Sequence, residues 1–435
     1  MKPVNIGLLG LGTVGGGTAT VLQDNAAEIS RRLGREVRIS AVCDLSEEKA
    51  KQICPNAAFI KDPFELVQHQ DVDIVVELFG GTSIAKDAVL KAIENGKHIV
   101  TANKKLLAEY GNEIFPLAEE KNVMVQFEAA VAGGIPIIKA LREGLAANQI
   151  RSIAGIINGT SNFILTEMRE KGSAFADVLK EAQALGYAEA DPTFDIEGHD
   201  AGHKITIMSA LAFGTPMNFS ACYLEGISKL DSRDIKYAEE LGYRIKLLGI
   251  TRKTDKGIEL RVHPTLIPES RLLANVNGVM NAVRVNADMV GETLYYGAGA
   301  GALPTASAVV ADIIDIARLL EAETDHRVPH LAFQPSQVQA QNILPMDEIT
   351  SGYYLRVQAT DEPGTLGQIA ALLAKENVSI EALIQKGVIN QSTAEIVILT
   401  HTTVEHNVKR AIAAIEALSC VDAPITMIRM ESLHD

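Results

Sequence analysis

The stretch VNIGLLGLGTVG, residues 4–15, decides the fold of the first part of the chain. It begins as a short apolar run and continues into glycines at positions 10, 12 and 15, the G-x-G-x-x-G spacing. An apolar strand that leads through such a turn into a helical pattern predicts the first strand–helix unit of a parallel sheet. Gly10 would permit the tight turn, Gly12 would let backbone amides approach a pyrophosphate, and Gly15 would let helix and strand pack closely. The alternative is a tight turn with a purely structural role.

Strand and helix signals continue to alternate over the first 130 residues. The predicted strands are 37–44, 73–78, 98–103 and 123–128, and the predicted helices include 13–33 and 84–96. Continuous apolar strands separated by helices are typical of a parallel sheet that is covered on both faces. The first domain is therefore predicted to be a doubly wound α/β domain of the Rossmann type.

Asp44 ends the second predicted strand, where an acid would bind the ribose hydroxyls of the adenosine half of NAD. Its charge would repel a 2′-phosphate, so charge alone favours NAD over NADP. The alternative is that Asp44 only caps the helix predicted at 45–52.

The character of the sequence changes after about residue 131. A strand is predicted over 151–160, helices over 161–170, 174–185 and 199–213, and antiparallel strands over 257–286. A glycine-rich loop then leads through Pro304 into a long apolar helix that we expect to return to the first domain. The middle region is thus predicted to be an α+β domain.

The C-terminal part reads as a linker followed by a small domain. Residues 324–350 lack periodicity and contain three prolines, whereas 352–431 follow the order strand, helix, strand, strand, helix, strand. That order predicts a ferredoxin-like βαββαβ fold. The predicted domains are 1–130 with 303–325, 131–302, a linker at 326–350, and 351–435.

Composition excludes several classes of protein. The 435-residue chain has a net charge of −15, which argues against a nucleic-acid partner because phosphate binding needs a basic surface. No apolar run has the length of a transmembrane helix, so no membrane association is expected. The four cysteines form no C-x-x-C pair, which favours a reduced, cytoplasmic setting without zinc or disulfides.

The segment AEADPTFDIEGHDAGHK, residues 188–204, concentrates acids, two histidines and one lysine. Its HDAGH mimics the zinc motif H-E-x-x-H, but the shorter aspartate, the helix-weakening Gly202 and the lack of an obvious third ligand nearby argue against zinc. Lys204 leads a helix that is apolar nearly all round, so we expect it in a cleft or an interface. Desolvation would lower the pKa of Lys204 and Asp200 would oppose this, so the sequence leaves its protonation state open.

Lys104 and Lys105, in TANKKLLAEYG, follow a predicted strand at its carboxyl end. Ligands of open α/β sheets bind at that edge. Lysines oppose the dipole at the start of a helix, so a function is expected for one of the two.

Together these motifs resemble the homoserine dehydrogenase family along nearly the whole chain. The segments that carry the resemblance are GLLGLGTVG, TANKKLLA, FEAAVAGGIPII, NGTSNFIL, EAQALGYAEADPTFDIEGHDAGHK and YYGAGAGALPTASAV, followed by a C-terminal part similar to an ACT domain. The resemblance implies NAD(P)-dependent interconversion of L-homoserine and L-aspartate 4-semialdehyde, in threonine, methionine and isoleucine biosynthesis.

The resemblance also implies roles for individual residues. Lys204 would be the catalytic proton donor and acceptor, with Lys104 beside nicotinamide and substrate. The expected substrate-binding residues are Glu189, Asp195, Asp200, Asn158, Gly159 and Thr160. The expected cofactor-binding residues are Gly10, Gly12, Thr13, Val14, Gly15, Asp44, Thr101, Lys104 and Gly301. A sodium ion is expected at Glu128, Val131, Gly133 and Ile135.

One position departs from the family pattern. Cys43 lies where many relatives carry a basic residue suited to a 2′-phosphate, which favours NAD or the use of both cofactors.

In the C-terminal domain, Asp361, Gly364 and Leu366 open the first helix, and a glycine there would let a ligand carboxylate reach backbone amides. ACT domains usually pair and bind amino acids, so L-threonine is the expected effector, and a homodimer or homotetramer is expected. The alternative is an ACT pair that only supports oligomerisation.

Two other functions were weighed. An aspartate-semialdehyde dehydrogenase would need a cysteine nucleophile, and the only cysteine of the middle domain is Cys222, which has no nucleophile motif around it. A non-catalytic amino-acid sensor is disfavoured because all the reactive positions are present.

Overall fold

The computed structural model describes residues 2–323, 326–390 and 393–433. The chain folds into two compact units. The first unit comprises Met1–Gly159, Gly202–Cys222 and Val279–Gln341, and the second comprises Thr160–Ala201, Tyr223–Gly278 and Asn342–Asp435. The predicted domain boundaries at residues 1, 325 and 435 lie outside the described residues, and the domain division stays a prediction.

A six-stranded sheet opens the first unit. Its strands are β1 (Val4–Leu9), β2 (Val37–Cys43), β3 (Ala58–Phe59), β4 (Ile74–Glu77), β5 (His98–Thr101) and β6 (Val125–Gln126). All its paired strands are parallel, in the order β3-β2-β1-β4-β5-β6. The order reverses between β1 and β4, where open α/β sheets bind their ligands. The predicted doubly wound fold is confirmed.

Helices connect these strands. They are α1 (Thr13–Asp24), α2 (Ala26–Leu33), α3 (Glu47–Ile53), α4 (Pro63–Leu66), α5 (Ser83–Glu94) and α6 (Lys104–Glu120). The single helix predicted over 13–33 is wrong, because α1 ends at Asp24 and α2 begins at Ala26. The strand predicted over 123–128 is only two residues long, since Glu128–Ala130 form a 3-10 turn.

The core of the first unit lies between the parallel sheet and one late helix. Ile6 and Leu8 of β1 are fully buried, together with Val309 and Ile313. The last two belong to a mostly apolar helix, Ala302–Leu319. This late helix therefore shares a core with the parallel sheet, although it comes after residue 300 in the chain.

The first unit also contains α7 (Ile137–Lys139) and three antiparallel strands, β7 (Ile150–Ile156), β11 (Met280–Ala287) and β12 (Gly291–Ala298), with β11 in the middle. The second unit contains α8 (Gly159–Lys171, from the junction), α9 (Phe175–Ala184), α10 (Thr193–Ile196), β8 (Tyr223–Leu224), α12 (Ser232–Glu240), β9 (Tyr243–Thr254) and β10 (Gly257–Pro268). The helix α11 (His199–Phe213) precedes β8, and α13 is the late helix Ala302–Leu319.

The antiparallel strands predicted over 257–286 are present. They are β10, which forms an antiparallel hairpin with β9, and β11, which pairs antiparallel with β7 and β12. The strand β9 was not predicted, because lysines and arginines interrupt its apolar pattern.

The C-terminal part of the second unit has the predicted ferredoxin-like order. Its elements are β13 (Thr350–Thr360), α14 (Thr365–Lys375), β14 (Ile380–Asn390), β15 (Thr393–Thr400), β16 (Thr403–Val404), α15 (Glu405–Glu416) and β17 (Thr426–Met430). Its main strands lie in the order β17-β13-β15-β14. The outer strand β17 also pairs with β10, so this sheet continues into the β9–β10 hairpin. The continuation was not predicted.

Among the described residues, no helix is both long and apolar enough to cross a membrane.

Candidate active site

The glycine-rich turn has the geometry that its sequence predicts. Gly10 has a φ of +93°, in the region that favours glycine. A Cβ atom on Gly15 would lie 2.0 Å from the carbonyl oxygen of Gly10, so only glycine allows α1 to pack this closely on β1. A Cβ atom on Gly12, the N-cap of α1, would meet no atom within 4 Å. The start of α1, with Thr13 and Val14, therefore borders open space that could hold a pyrophosphate.

Asp44 lies directly beside this turn. Its carboxylate accepts hydrogen bonds from the backbone amides of Leu11, at 2.7 Å, and Ser46, at 3.0 Å. Burial alone would raise the pKa of Asp44, but these hydrogen bonds outweigh it, so the pKa lies below its usual value. Ser46, not Asp44, caps α3, and the capping alternative was therefore wrong. An ionised Asp44 beside the turn suits a ribose and opposes a 2′-phosphate.

Cys43, next to Asp44, is 7% exposed. Burial raises the pKa of its thiol to about 11, so the thiol stays neutral at neutral pH. A neutral thiol offers no positive charge to a 2′-phosphate.

A buried acid at the carboxyl ends of β4 and β5 was missed by the sequence analysis. Glu77 accepts a hydrogen bond of 2.6 Å from the hydroxyl of Thr101, and both residues are fully buried. The Thr101 hydroxyl in turn accepts from the Asn103 amide at 3.0 Å. Burial raises the pKa of Glu77. The position of Glu77 as the last residue of an apolar strand was the signal that could have found it, because ligands bind at that edge.

The two lysines that follow β5 differ in their surroundings. Lys104 is the first residue of α6 and is half-buried. Lys105 is exposed and lies 3.9 Å from Glu109. Of the pair, Lys104 is thus the less exposed, and its role beside nicotinamide and substrate stays a prediction.

Lys204 lies on the buried part of α11 and is 8% exposed. Its Nζ donates a 2.7 Å hydrogen bond to the carbonyl of Ile157, the residue before Asn158. A Cβ atom on Gly159 would lie 2.8 Å from the Val279 carbonyl, so the turn is tightly enclosed. The first unit therefore brings Lys204 to the predicted substrate turn.

The remaining predicted substrate residues belong to the second unit. Thr160 donates to the carbonyl of Tyr187 at 2.7 Å, and Ser161 donates to the carbonyl of Asp195 at 3.0 Å. These bonds hold the predicted acidic segment against the start of α8. Asp200 is 4% exposed, Asp195 is half-buried and Glu189 is exposed. A joint role of these acids with the lysines stays a prediction.

The histidines of the segment have aromatic neighbours. The ring of His203 lies 4.1 Å from that of Phe219, and its Nε2 is 3.9 Å from Glu109. The ring of His199 stacks on Phe194 at 6.3 Å. Within the described part of the chain, no group of three or more His, Cys, Asp or Glu side chains is placed to hold a metal ion.

The loop that was predicted to return to the cofactor lies against α1. Gly301 has a φ of +127° and caps α13. A Cβ atom on Gly17 of α1 would lie 2.6 Å from the carbonyl of Ala302. A Cβ atom on Gly133 would lie 2.5 Å from the carbonyl of Gly299, so the predicted sodium loop also contacts this segment.

Glu128, the predicted sodium ligand, is 2% exposed. Its two carboxylate oxygens accept from the amides of Ile138 and Lys139, each at 2.8 Å, and its own amide donates to Asp312 at 2.8 Å. Burial raises the pKa of both Glu128 and Asp312. A monovalent cation would offset two buried carboxylates in this position, so the residues fit such an ion.

The carbonyls predicted to complete the sodium site belong to Val131, Gly133 and Ile135. They lie in one loop in which Ala132 and Gly133 have positive φ values of 55° and 53°.

The three predicted effector residues line one cavity. Asp361, Gly364 and Leu366 surround a space of about 300 Å³, together with Gln385 and Ile396. Gly364 has a φ of +100° and is the N-cap of α14, and a Cβ atom there would meet no atom within 4 Å. Gln385 donates to Asp361 at 2.9 Å. The cavity at a helix start can accept a small carboxylate-bearing ligand.

An open glycine turn on a doubly wound sheet and a lysine at the carboxyl edge of that sheet are typical of NAD(P)-dependent oxidoreductases, here with a ferredoxin-like C-terminal part. Family models agree with this class. The homoserine dehydrogenase NAD-binding domain matches residues 10–128, the homoserine dehydrogenase model matches 136–314, and the ACT domain matches 353–420.

The chain belongs to the homoserine dehydrogenase family. It is 90% identical over 435 residues to the homoserine dehydrogenase of Neisseria gonorrhoeae, with 100% of both chains covered. The crystal structure of a homoserine dehydrogenase from Thiobacillus denitrificans matches with 61% identity and a TM-score of 0.96, covering 100% of this chain and 99% of that one. A hyperthermophilic archaeal homoserine dehydrogenase in complex with NADPH matches 74% of this chain and 100% of its own, with 29% identity and a TM-score of 0.61.

Proposed function

We propose that this chain interconverts L-homoserine and L-aspartate 4-semialdehyde with NAD or NADP, in threonine, methionine and isoleucine biosynthesis. The observation that carries the proposal is the buried Lys204, whose ammonium group is held by the Ile157 carbonyl beside the Asn158–Gly159 turn. An alcohol oxidation needs a positioned group that carries the hydroxyl proton.

When bound, NAD or NADP supplies the acceptor or donor of the hydride. Lys204 would carry the proton of the substrate oxygen. Lys104, half-buried at the start of α6, would stabilise negative charge that develops on the same oxygen. The two lysines would therefore have different roles, and their surroundings differ as well: Lys204 is buried and Lys104 is half-buried.

The substrate would be held through its two charged ends. Glu189, Asp195 and Asp200 would complement its ammonium group, and Asn158, Gly159 and Thr160 would bind its carboxylate. The bonds from Thr160 and Ser161 to the 187–195 segment support this arrangement, because they tie the turn to the acidic segment.

For the cofactor we propose a preference for NAD, or use of both forms. The ionised Asp44 and the neutral Cys43 would both disfavour a 2′-phosphate. The proposal includes the use of NADP because the archaeal relative was solved in complex with NADPH.

We further propose a sodium ion at Glu128, Val131, Gly133 and Ile135, and L-threonine as the effector in the cavity around Gly364. The fit of a monovalent cation beside two buried carboxylates supports the first, and a carboxylate-sized space at the start of α14 supports the second. We propose a homodimer or homotetramer in the cytoplasm.

Replacement of the two lysines tests the proposal. Lys204→Ala should lower kcat with homoserine by about 10³-fold or more while NADH binding is nearly unchanged, because the proton carrier is lost. Lys104→Ala should also lower kcat, whereas the neighbouring Lys105→Ala, which removes an exposed side chain, serves as the matched control. NAD(P)H formation at 340 nm and NADH fluorescence titration measure the two effects. Full activity of Lys204→Ala would refute the assignment.

A further inference from the structure

A second buried lysine, to which no role has been assigned above, lies in the second unit. Lys246 on β9 is 2% exposed. Its Nζ donates to the side-chain oxygens of Asn162 and Asn277, each at 3.2 Å, and to the carbonyl of Val276. Asn162 itself donates to the carbonyls of Val276, at 3.2 Å, and Gly278, at 2.9 Å. One ammonium and one amide thus tie α8 to the loop 276–278.

The residue that follows this loop contacts the start of α8. Asn162 lies in the first turn of α8, which begins at Gly159. Val279 follows the loop directly, and its carbonyl lies 2.8 Å from the position of a Cβ atom on Gly159. Thr166, one turn further along α8, accepts from the Gly278 amide at 3.0 Å. A shift of the loop would therefore move the start of α8.

We propose that Lys246 is a positioning residue, which sets the geometry of the Asn158–Thr160 turn by holding the first turn of α8 against the loop 276–278. The inference rests on the proposed function, since that turn affects turnover only if it binds the substrate. Lys246 would act through the turn and would not touch the substrate.

The surroundings of Lys246 make this link dependent on pH. Burial lowers the pKa of Lys246 to about 7, and the charges of Arg169 and Arg244 add to this, while Glu170 opposes it. The charged groups that act on it are Arg169 and Glu170 on α8 and Arg244 on β9. Arg244 in turn pairs with Glu239 of α12, at 3.4 Å, and with Glu269, at 3.2 Å. The partner position of Lys246 on β10 is the uncharged Thr265.

The number of donors on Lys246 changes at this pKa. Below about pH 7 the ammonium has three N–H donors for its three oxygen acceptors. Above it the neutral amine has two N–H groups and a lone pair, so one buried oxygen loses its donor. The link is thus complete at lower pH and incomplete at higher pH.

Steady-state kinetics of the full-length chain test the proposal. We expect Lys246→Met to raise the KM for L-homoserine about tenfold at about pH 6, with little change in kcat or in the KM for NAD. At about pH 9, where Lys246 of the wild type is neutral, the same ratio of KM values should be smaller. Lys246→Gln, which keeps a donor, should restore part of the difference.

The matched control is Lys97→Met. Lys97 is a half-buried lysine of the first unit that also donates to a backbone carbonyl, that of Val72, at 2.7 Å. This variant should keep the KM of the wild type at both pH values. An equal rise in KM for Lys97→Met and Lys246→Met would overturn the specific role of Lys246.

Hydrogen exchange gives a readout that does not depend on activity. In Lys246→Met the amides of residues 159–166 and 276–279 should exchange faster than in the wild type. In the wild type itself, their protection, corrected for intrinsic exchange, should fall between about pH 6 and pH 8.5, which decides the question even if the variants do not fold. Unchanged protection would refute the positioning role. A wild type that oxidises no homoserine would refute the proposed function instead.

Discussion

Two buried side chains of the first unit, Lys204 and Cys222, differ in their surroundings. Lys204 donates a hydrogen bond to a backbone carbonyl that adjoins the proposed substrate turn. Cys222 is also buried, at 9% exposure, and burial raises the pKa of its thiol to about 12, although a hydrogen bond with Thr206 opposes the shift. A thiol with that pKa has almost no thiolate at neutral pH, and the thiolate is the nucleophile. The burial of Cys222 therefore argues against a mechanism in which its sulfur forms an acyl-enzyme.

Alkylation should distinguish the cysteines. Iodoacetamide at pH 7.5 should modify the partly exposed Cys420 first and leave Cys222 unmodified, because burial suppresses its thiolate. Cys222→Ser should change kcat less than about threefold, since no covalent step depends on this sulfur. Peptide mass spectrometry and the 340 nm assay measure the outcomes. Loss of activity that follows modification of Cys222 and is prevented by substrate would favour the aspartate-semialdehyde dehydrogenase alternative.

The candidate site residues that belong to sequence motifs could be predicted, whereas residues whose surroundings are formed by distant parts of the chain could not. The environment of Asp44 follows from its place after β2, which any doubly wound sheet shares. The link made by Lys246 depends on Asn162 and Asn277, which are 84 and 31 residues away. Glu77 was not predicted either, and its Thr101 partner lies on the next strand, 24 residues away.

At the scale of elements, two glycines where β1 leads into α1 differ in the space around them. A side chain at Gly12 would enter free space, whereas one at Gly15 would collide with the carbonyl of Gly10. The two positions therefore separate the proposed cofactor contact at Gly12 from the packing of α1 on β1 at Gly15.

Alanine at each position should show this separation. Gly15→Ala should lower the free energy of unfolding by about 1–3 kcal/mol, because the methyl group forces α1 away from β1. Gly12→Ala, whose methyl group would meet no atom within 4 Å, should leave stability nearly unchanged and weaken NADH binding about tenfold or more. Urea denaturation and NADH fluorescence titration measure the two quantities. Equal stability of both variants would contradict the packing role of Gly15.

In the C-terminal part, the local sequence predicts the order of the elements but not all of the strand pairing. The βαββαβ order was predicted because each strand and helix carries its own pattern of apolar residues. The pairing of β17 with β10 was not predicted, since no local pattern specifies which strand from another part of the chain pairs at a sheet edge. The strand β9 was missed along with it, so the continuous sheet could not be derived.

At the scale of the whole molecule, the pKa values of several buried acids shift in opposite directions in the two units. In the first unit, burial raises the pKa of Glu77, Glu128 and Asp312. In the second unit, burial is outweighed by arginines, so the pKa of Glu405, bonded to Arg429, and that of Glu431, bonded to Arg261, both lie below the usual value. The two units should therefore respond differently to acid.

Acid should unfold the second unit first. A raised folded-state pKa gives stability that is complete below the unfolded value of 4.5 and is lost as pH rises, so Glu77 and Glu128 favour the first unit on acidification. A lowered pKa gives stability that is present above 4.5 and is lost as pH falls, so Glu405 and Glu431 weaken the second unit below that value. Hydrogen exchange from pH 7 to about pH 3 should show β10, β13 and β17 losing protection before β1 and β4.

A variant of Glu405 sharpens the test of this order. Glu405→Gln removes the ion pair with Arg429, so the second unit of the variant should be less stable at pH 7. Because glutamine does not titrate, this unit should then lose less of its remaining stability on acidification. The exposed Glu348 provides the control, since Glu348→Gln should follow the profile of the wild type. Earlier loss of protection in β1 and β4 than in β13 and β17 would show that the ion pairs of the second unit do not set the acid limit of the molecule.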